Sequence, residues 1–248
     1  MDTEILVIIY ATFFAASFVK GITGLGFAIL TLPVVTSFIP IHQAIPLILI
    51  PSFASNIIII IQTGRLAQSV KRFWLLYISA FPGLYVGVHL LSVMGNQVSR
   101  IALGASAIIY AVLMLFNIQV SVPRGQEKYY SFPIGLANGV INGLTGTQVM
   151  PMLPYLLALN QDMNGLINAI NLGFTLSGIV LIFFLHTFNL FDPDVIVYSV
   201  FAIIPASVGI FLGSILRRHL SEEKFRLSVL ILLIVIGSIM ILRPWLGA

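Results

Sequence analysis

The chain has 248 residues, of which 59% are hydrophobic and only 8% charged, with a formal net charge of +4 and no cysteine. A soluble domain carries about 25% charged residues, so a soluble globular protein is excluded and an integral membrane protein is indicated. The basic residues cluster between apolar runs, so the charge carries no implication of nucleic-acid binding. The lack of cysteine removes disulfides, thiolate metal sites and thiol catalysis.

Charge-free windows lie at 21–64, 73–99, 101–123, 129–161, 163–191 and 195–216, and each reaches the ~20 residues that a spanning helix needs. Runs this long and unalternating predict helices rather than a barrel, because backbone groups in lipid must be satisfied internally. The expected class is an all-α polytopic membrane protein. In chain order the predicted elements are 5–39, 42–62, 73–94, 98–118, 132–160, 163–187, 194–216 and 224–246. The start, Met1-Asp2-Thr3-Glu4, is acidic where a secretory signal peptide is basic, so the first apolar segment is expected to be retained in the membrane. The last apolar run, 227–242, is short and is expected to borrow residues from its flanks.

The first element contains Lys20-Gly21-Ile22-Thr23-Gly24-Leu25-Gly26-Phe27, followed by Pro33. Glycine loses more backbone entropy in a helix than any other residue, so this stretch reads as a break. Gly143-Leu144-Thr145-Gly146 repeats Gly21-Ile22-Thr23-Gly24 at an offset of 122 residues, and Pro151 and Pro154 follow. The same offset maps Ser55 onto Ser177 and Gly87 onto Gly209. The expectation is two four-element repeats, 1–118 and 132–248, joined by a linker at 119–131. Broken apolar helices at matching places in two halves are a pointer to a transporter's substrate site.

Elements 5–39 and 132–160 are too long for one ordinary crossing. Lys and Arg, enriched in short cytoplasmic loops, arbitrate between a kinked crossing and a hairpin. Eight plain crossings divide the loop cations six against five. With both broken elements as hairpins, Arg65, Lys71, Arg72, Arg124, Lys128, Arg217, Arg218, Lys224 and Arg226 share one face, leaving Arg100 and Arg243 on the other. The hairpin reading follows, with the two repeats inverted in the membrane and both termini outside the cytoplasm of a bacterial inner membrane.

Lys20 is the charge within this apolar environment. A lysine at the bilayer centre costs from about 2.5 to over 10 kcal/mol unless compensated, and the chain's acids all lie at run ends or in loops. It either snorkels to a headgroup or faces an anion. The glycines either allow close helix packing or restart half-helices near Gly24 and Gly146, whose free N–H groups and positive dipole ends favour a buried anion. The candidate anion-binding residues are Lys20, Gly21, Thr23, Gly24, Gly26, Asn56, Asn142, Gly143, Thr145, Gly146, Thr147, Gln148 and Asn168, with the substrate expected near the midplane between the two broken helices. Asn164, Asn168 and Asn171 share one helix face, as do Asn138 and Asn142. Such amides often bond neighbouring helices, at about 0.6 kcal/mol each. Pro46, Pro51, Pro82 and Pro205 read as kinks, and His89 and His186 as structural.

The broken helix 21–33, its echo at 143–154, the charge poverty and the four-element duplication resemble the sulfite exporter TauE/SafE family across essentially the whole chain. Members often carry a denser glycine run than Gly24-Leu25-Gly26-Phe27, and Gly143-Leu144-Thr145-Gly146-Thr147-Gln148 departs further from that pattern. The resemblance implies a bacterial permease for small sulfur-containing anions such as sulfite and organosulfonates. An inside-negative potential favours anion exit by about 2.3 kcal/mol per charge per 100 mV; driven uptake by a proton relay would call for an intramembrane acid, so export is expected. Two other classes fit the same residues: an intramembrane hydrolase using Gly-x-Thr-Gly with His89 or His186 as base, and a membrane assembly protein. The transporter reading calls for no catalysis, metal or cofactor. Its expected partners are a small anion, the lipid bilayer and, as an oligomer, a homodimer, with no nucleic acid.

Overall fold

A chain without water to bond to satisfies its own N–H and C=O groups within helices. In the computed structural model, the described residues are 3–23, 26–116, 122–123, 125–159, 161–216 and 222–242; they form ten α-helices, with no strand among them. These are α1 (Thr3–Thr23), α2 (Phe27–Val35), α3 (Ile41–Thr63), α4 (Leu66–Leu115), α5 (Glu127–Thr145), α6 (Met152–Leu157), α7 (Met163–Thr187), α8 (Asp194–Phe201), α9 (Ile203–Leu216) and α10 (Glu222–Leu242). Among the described residues, five stretches are long and apolar enough to span a bilayer: α1, α3, α4, α7 and the stretch Asp194–Leu216. The protein is an all-α, polytopic, integral membrane protein. Helix bounds keep the register of the sequence repeat: α1 and α5 end at Thr23 and Thr145, and α3 and α7 begin at Ile41 and Met163, each pair 122 residues apart.

Three element boundaries differ from the sequence expectation. Residues 127–131, expected in the linker, form the first turns of α5, where Glu127 suits the positive helix end. The Glu127 carboxylate takes both Arg72 Nε and Nη2, at 3.0 and 2.7 Å. That bidentate pair explains the second difference. Lys71 and Arg72, expected in a loop, lie inside α4, which runs from Leu66 and bends at Gly95 (φ 74°, ψ 176°). The third is at 194–216, which is two helices parted at Ala202, three residues before Pro205. Proline has no N–H to give the preceding turn.

The chain forms two compact units, and each takes helices from both sequence halves. The first comprises 1–52, 96–116 and 192–248. Within it α1 lies on α9 through small residues: a Cβ on Gly209 would strike Phe14 O, and one on Gly213 would strike Phe18 O. Gly21 faces the Gly213 Cα from the other side. The Ser199 hydroxyl on α8 donates to Leu47 O of α3 at 2.7 Å, and Tyr10 on α1 donates to Tyr198 O at 3.2 Å. Ile9, Phe13, Ile22, Phe27, Ile29 and Leu32 form its apolar interior.

The second unit comprises 53–95 and 117–191. Here α4 and α5 meet along a glycine seam, Gly83 and Gly87 against Gly135, Gly139 and Gly143, where each added Cβ would meet backbone of the facing helix. Lipid tails are as apolar as leucine, so close backbone approach of small residues drives such pairs. Tyr77 on α4 donates to Ala169 O of α7 at 3.0 Å. Arg65 meets Asp162 at 3.3 Å.

Candidate functional site

Both broken elements double back on themselves. In the first, the Phe13 and Phe27 rings lie 5.7 Å apart, although the helix from Phe13 to Thr23 alone rises about 15 Å. The chain therefore reverses between α1 and α2. Gly26, in the left-handed conformation (φ 99°), caps the start of α2, and Leu30 N–H already bonds its carbonyl at 3.1 Å. A left-handed cap suits glycine because a Cβ would crowd the backbone. Lys20 lies in the last turn of α1 and is 4% exposed. That turn is the negative end of the helix, which favours a cation. Thr23 donates to Val19 O at 3.0 Å. Gly24 lies outside the described residues.

In the second element α5 ends at Thr145, and Gly146 caps it in the left-handed conformation (φ 75°), its N–H on Asn142 O at 2.7 Å. The expected helix restart at Gly146 is corrected here: residues 146–151 are irregular and helix resumes at Met152. The reason is a set of local bonds that hold the irregular segment in place. The Thr145 hydroxyl donates to Ile141 O at 2.6 Å and accepts Thr147 N–H at 3.2 Å. With its amide nitrogen turned toward the loop, Asn138 donates to Gln148 O and Met150 O at 2.8 and 3.1 Å. A cis Met150–Pro151 bond then leads into α6. Tyr155 on α6 donates to Glu127 O at 2.8 Å, with the Ser131 hydroxyl 2.9 Å from its oxygen, so the hairpin closes at its base.

Helix α7 faces this break. Gln148 Nε2 donates to Phe174 O at 3.2 Å, and Asn168 Nδ2 donates to Ile60 O and Thr63 Oγ1 at 3.2 and 2.7 Å. Asn171 Nδ2 turns back to Ile167 O at 2.8 Å. The side chains of Asn142, Asn168, Asn171, Thr145, Thr147 and Gln148 are all buried. Neither amide atom of Asn142 has a hydrogen-bond partner, nor do Gln148 Oε1, Asn168 Oδ1 and Asn171 Oδ1. Buried polar atoms are normally satisfied, so these atoms mark the second unit's polar layer. Asn56, also buried, sits on α3.

The sequence candidates thus divide. Lys20, Gly21, Thr23 and Gly26 surround the first break; Asn142, Gly143, Thr145, Gly146, Thr147 and Gln148 surround the second, with Asn168 on α7. Gly21 and Gly143 lie against facing backbone, so close packing accounts for their lack of a side chain. Asn138, absent from the candidate set, holds the second break through the carbonyls of Gln148 and Met150, and its shared helix face with Asn142 was the available signal. Position 142 is also the repeat counterpart of position 20, an amide standing where the first half has an ammonium. Thr145 spends its proton on a backbone carbonyl, and His89 and His186 are exposed and lie against Phe188 and Phe191.

A family model described as Sulfite exporter TauE/SafE matches residues 9–240. No curated protein and no solved structure gives a match.

Proposed function

Because this chain belongs to the sulfite exporter TauE/SafE family, we propose that it carries a small sulfur-containing anion, sulfite or an organosulfonate, outward across a bacterial inner membrane. The observation that carries this reading is Lys20, buried in the last turn of α1 beside a helix break. Its ammonium supplies the positive charge, and the first N–H groups of α2, which lack intrahelical acceptors, add donors at the same break. Thr23 and the Gly26 cap belong to the same break. In the second unit Asn142, Gly143, Thr145, Gly146, Thr147, Gln148 and Asn168, with Asn56 on α3, form a polar layer of their own around the second break. The inside-negative potential drives export without a coupling acid. Both termini lie outside the cytoplasm, and the repeats are inverted.

The test is flux in proteoliposomes holding the purified full chain, against a panel of sulfur oxyanions and sulfonates. Saturable, potential-driven efflux of at least one member is expected. Equal leakage of the whole panel with and without protein would remove the reading.

A further inference from the structure

The two breaks differ in charge at one corresponding position. α1 ends with Lys20 in its last turn, whereas α5, which ends at the matching place, has no basic residue there. A helix C-terminus carries about half a negative charge, and its last carbonyls lack intrahelical donors. In α5, Asn142 O receives Gly146 N–H. Among the described residues, no backbone N–H reaches the carbonyls of Gly143, Leu144 or Thr145. The last turn of α1 thus carries a basic residue, while that of α5 does not.

The side chains around the end of α5 offer acceptors. The amide nitrogens of Gln148, Asn168 and Asn171 each face an oxygen of the chain, which fixes their orientation and leaves the three amide oxygens without a donor. The Gln148 bond to Phe174 O brings its oxygen to the turn of α7 that follows Asn171. Thr145 gives its proton to Ile141 O, so in the 3.1 Å contact the Thr147 hydroxyl donates to Thr145 and keeps only lone pairs to offer. Asn142, in the last turn of α5 and fully buried, has an oxygen and a nitrogen both unpartnered. An acceptor-rich neutral layer beside a negative helix end is unfavourable for an anion and favourable for a cation. Unwound backbone carbonyls and half-helix C-termini are the groups with which transporters coordinate Na⁺. Divalent sites on Mg²⁺ or Ca²⁺ rely on carboxylates, and none contributes here.

We propose that the second break binds a small monovalent metal cation, Na⁺ being the probe, at the C-terminal end of α5, with Asn142 Oδ1, the free carbonyls of α5 and the Thr147 hydroxyl as its ligands. The bound cation does for α5 what the Lys20 ammonium does for α1. The proposal is independent of which anion the protein exports.

Binding of ²²Na⁺ to the purified full-length protein tests it, alongside thermal unfolding in NaCl and in choline chloride at equal ionic strength. Expected is saturable ²²Na⁺ binding, displaced by unlabelled NaCl and not by choline chloride, and a higher Tm in NaCl. Asn142→Lys, which supplies a tethered ammonium at the same place, is expected to abolish ²²Na⁺ binding and make Tm indifferent to Na⁺. If that variant does not fold, Asn142→Ala is expected to weaken ²²Na⁺ binding by at least about tenfold. No saturable binding to the unmodified protein overturns the proposal, as does unchanged binding in a folded Asn142 variant. Neither result bears on anion efflux, so a failed cation site and a failed exporter reading are told apart.

Discussion

Tyr155 donates its hydroxyl to the backbone carbonyl of Glu127 at 2.8 Å, so the end of the second broken element is bonded to its own beginning. The same glutamate holds Arg72 through its carboxylate, which ties the base of the hairpin to α4. One residue therefore joins three helices of the second unit. Its two roles differ in exposure: the Tyr155 ring is 2% exposed, while the Arg72 and Glu127 side chains are 27% and 38% exposed.

Removing the buried bond is expected to cost more than removing the charge pair. Tyr155→Phe removes one of the two hydroxyl donors on the Glu127 carbonyl, the Ser131 hydroxyl staying at 2.8 Å, and is expected to destabilise the protein by about 1–2 kcal/mol. Glu127→Gln keeps the backbone carbonyl and one amide oxygen, and solvent already screens the pair, so a loss under about 1 kcal/mol is expected. Thermal unfolding of both variants in detergent orders them; a larger effect from Glu127→Gln contradicts the assignment.

The glycine seam gives a sharper contrast. A Cβ at Gly139 would strike the carbonyl of Ala80 on the facing helix, whereas one at Gly165 meets side chains, the Asp162 carboxylate at 3.0 Å and Gln161 Oε1 at 3.7 Å. Gly139→Ala is expected to destabilise by about 1–3 kcal/mol through overpacking. Gly165→Ala is expected to be neutral or mildly stabilising, since alanine favours helix by about 1 kcal/mol over glycine. Equal melting temperatures for the two variants would refute the seam.

Lys20→Ala is expected to weaken binding of the exported anion by at least about tenfold, while the fold is kept or gains stability because a buried charge has gone. Lys20→Arg is expected to retain part of the affinity, the charge staying but the compact ammonium becoming a planar fork. Affinity and Tm measured on the same preparations decide between an anion-facing and a snorkelling lysine. In the snorkelling case alanine lowers stability or insertion and leaves affinity untouched.

Topology is open to test without knowledge of the substrate. Reporters fused at the N-terminus and after Ala248 are expected to lie outside the cytoplasm, and one inserted between Arg124 and Lys128 inside. A terminus on the same face as that insertion removes the inverted arrangement and restores eight plain crossings. Arg124, Arg217, Arg218 and Arg243, which weigh in the charge count, lie outside the described residues.

The membrane class and the position of both breaks were legible in the chain itself. Each is a local property: charge poverty reports the surrounding solvent, and glycine reports weak helix. The partners were not. The glycines at 135, 139 and 143 mark a smooth face on α5, but that face does not say which of several apolar helices will meet it. The tertiary structure pairs α5 with α4 and α1 with α9, so each compact unit joins a hairpin of one half to the third element of the other. The late restart at Met152 was hidden for the same reason, because Asn138 and Gln148 hold residues 146–151 out of helix through bonds to α5 and α7. Hydrogen-bond valence is spent in three dimensions. Asparagines at 142, 168 and 171 look alike along the chain, and only the fold decides which of their atoms are left for a ligand.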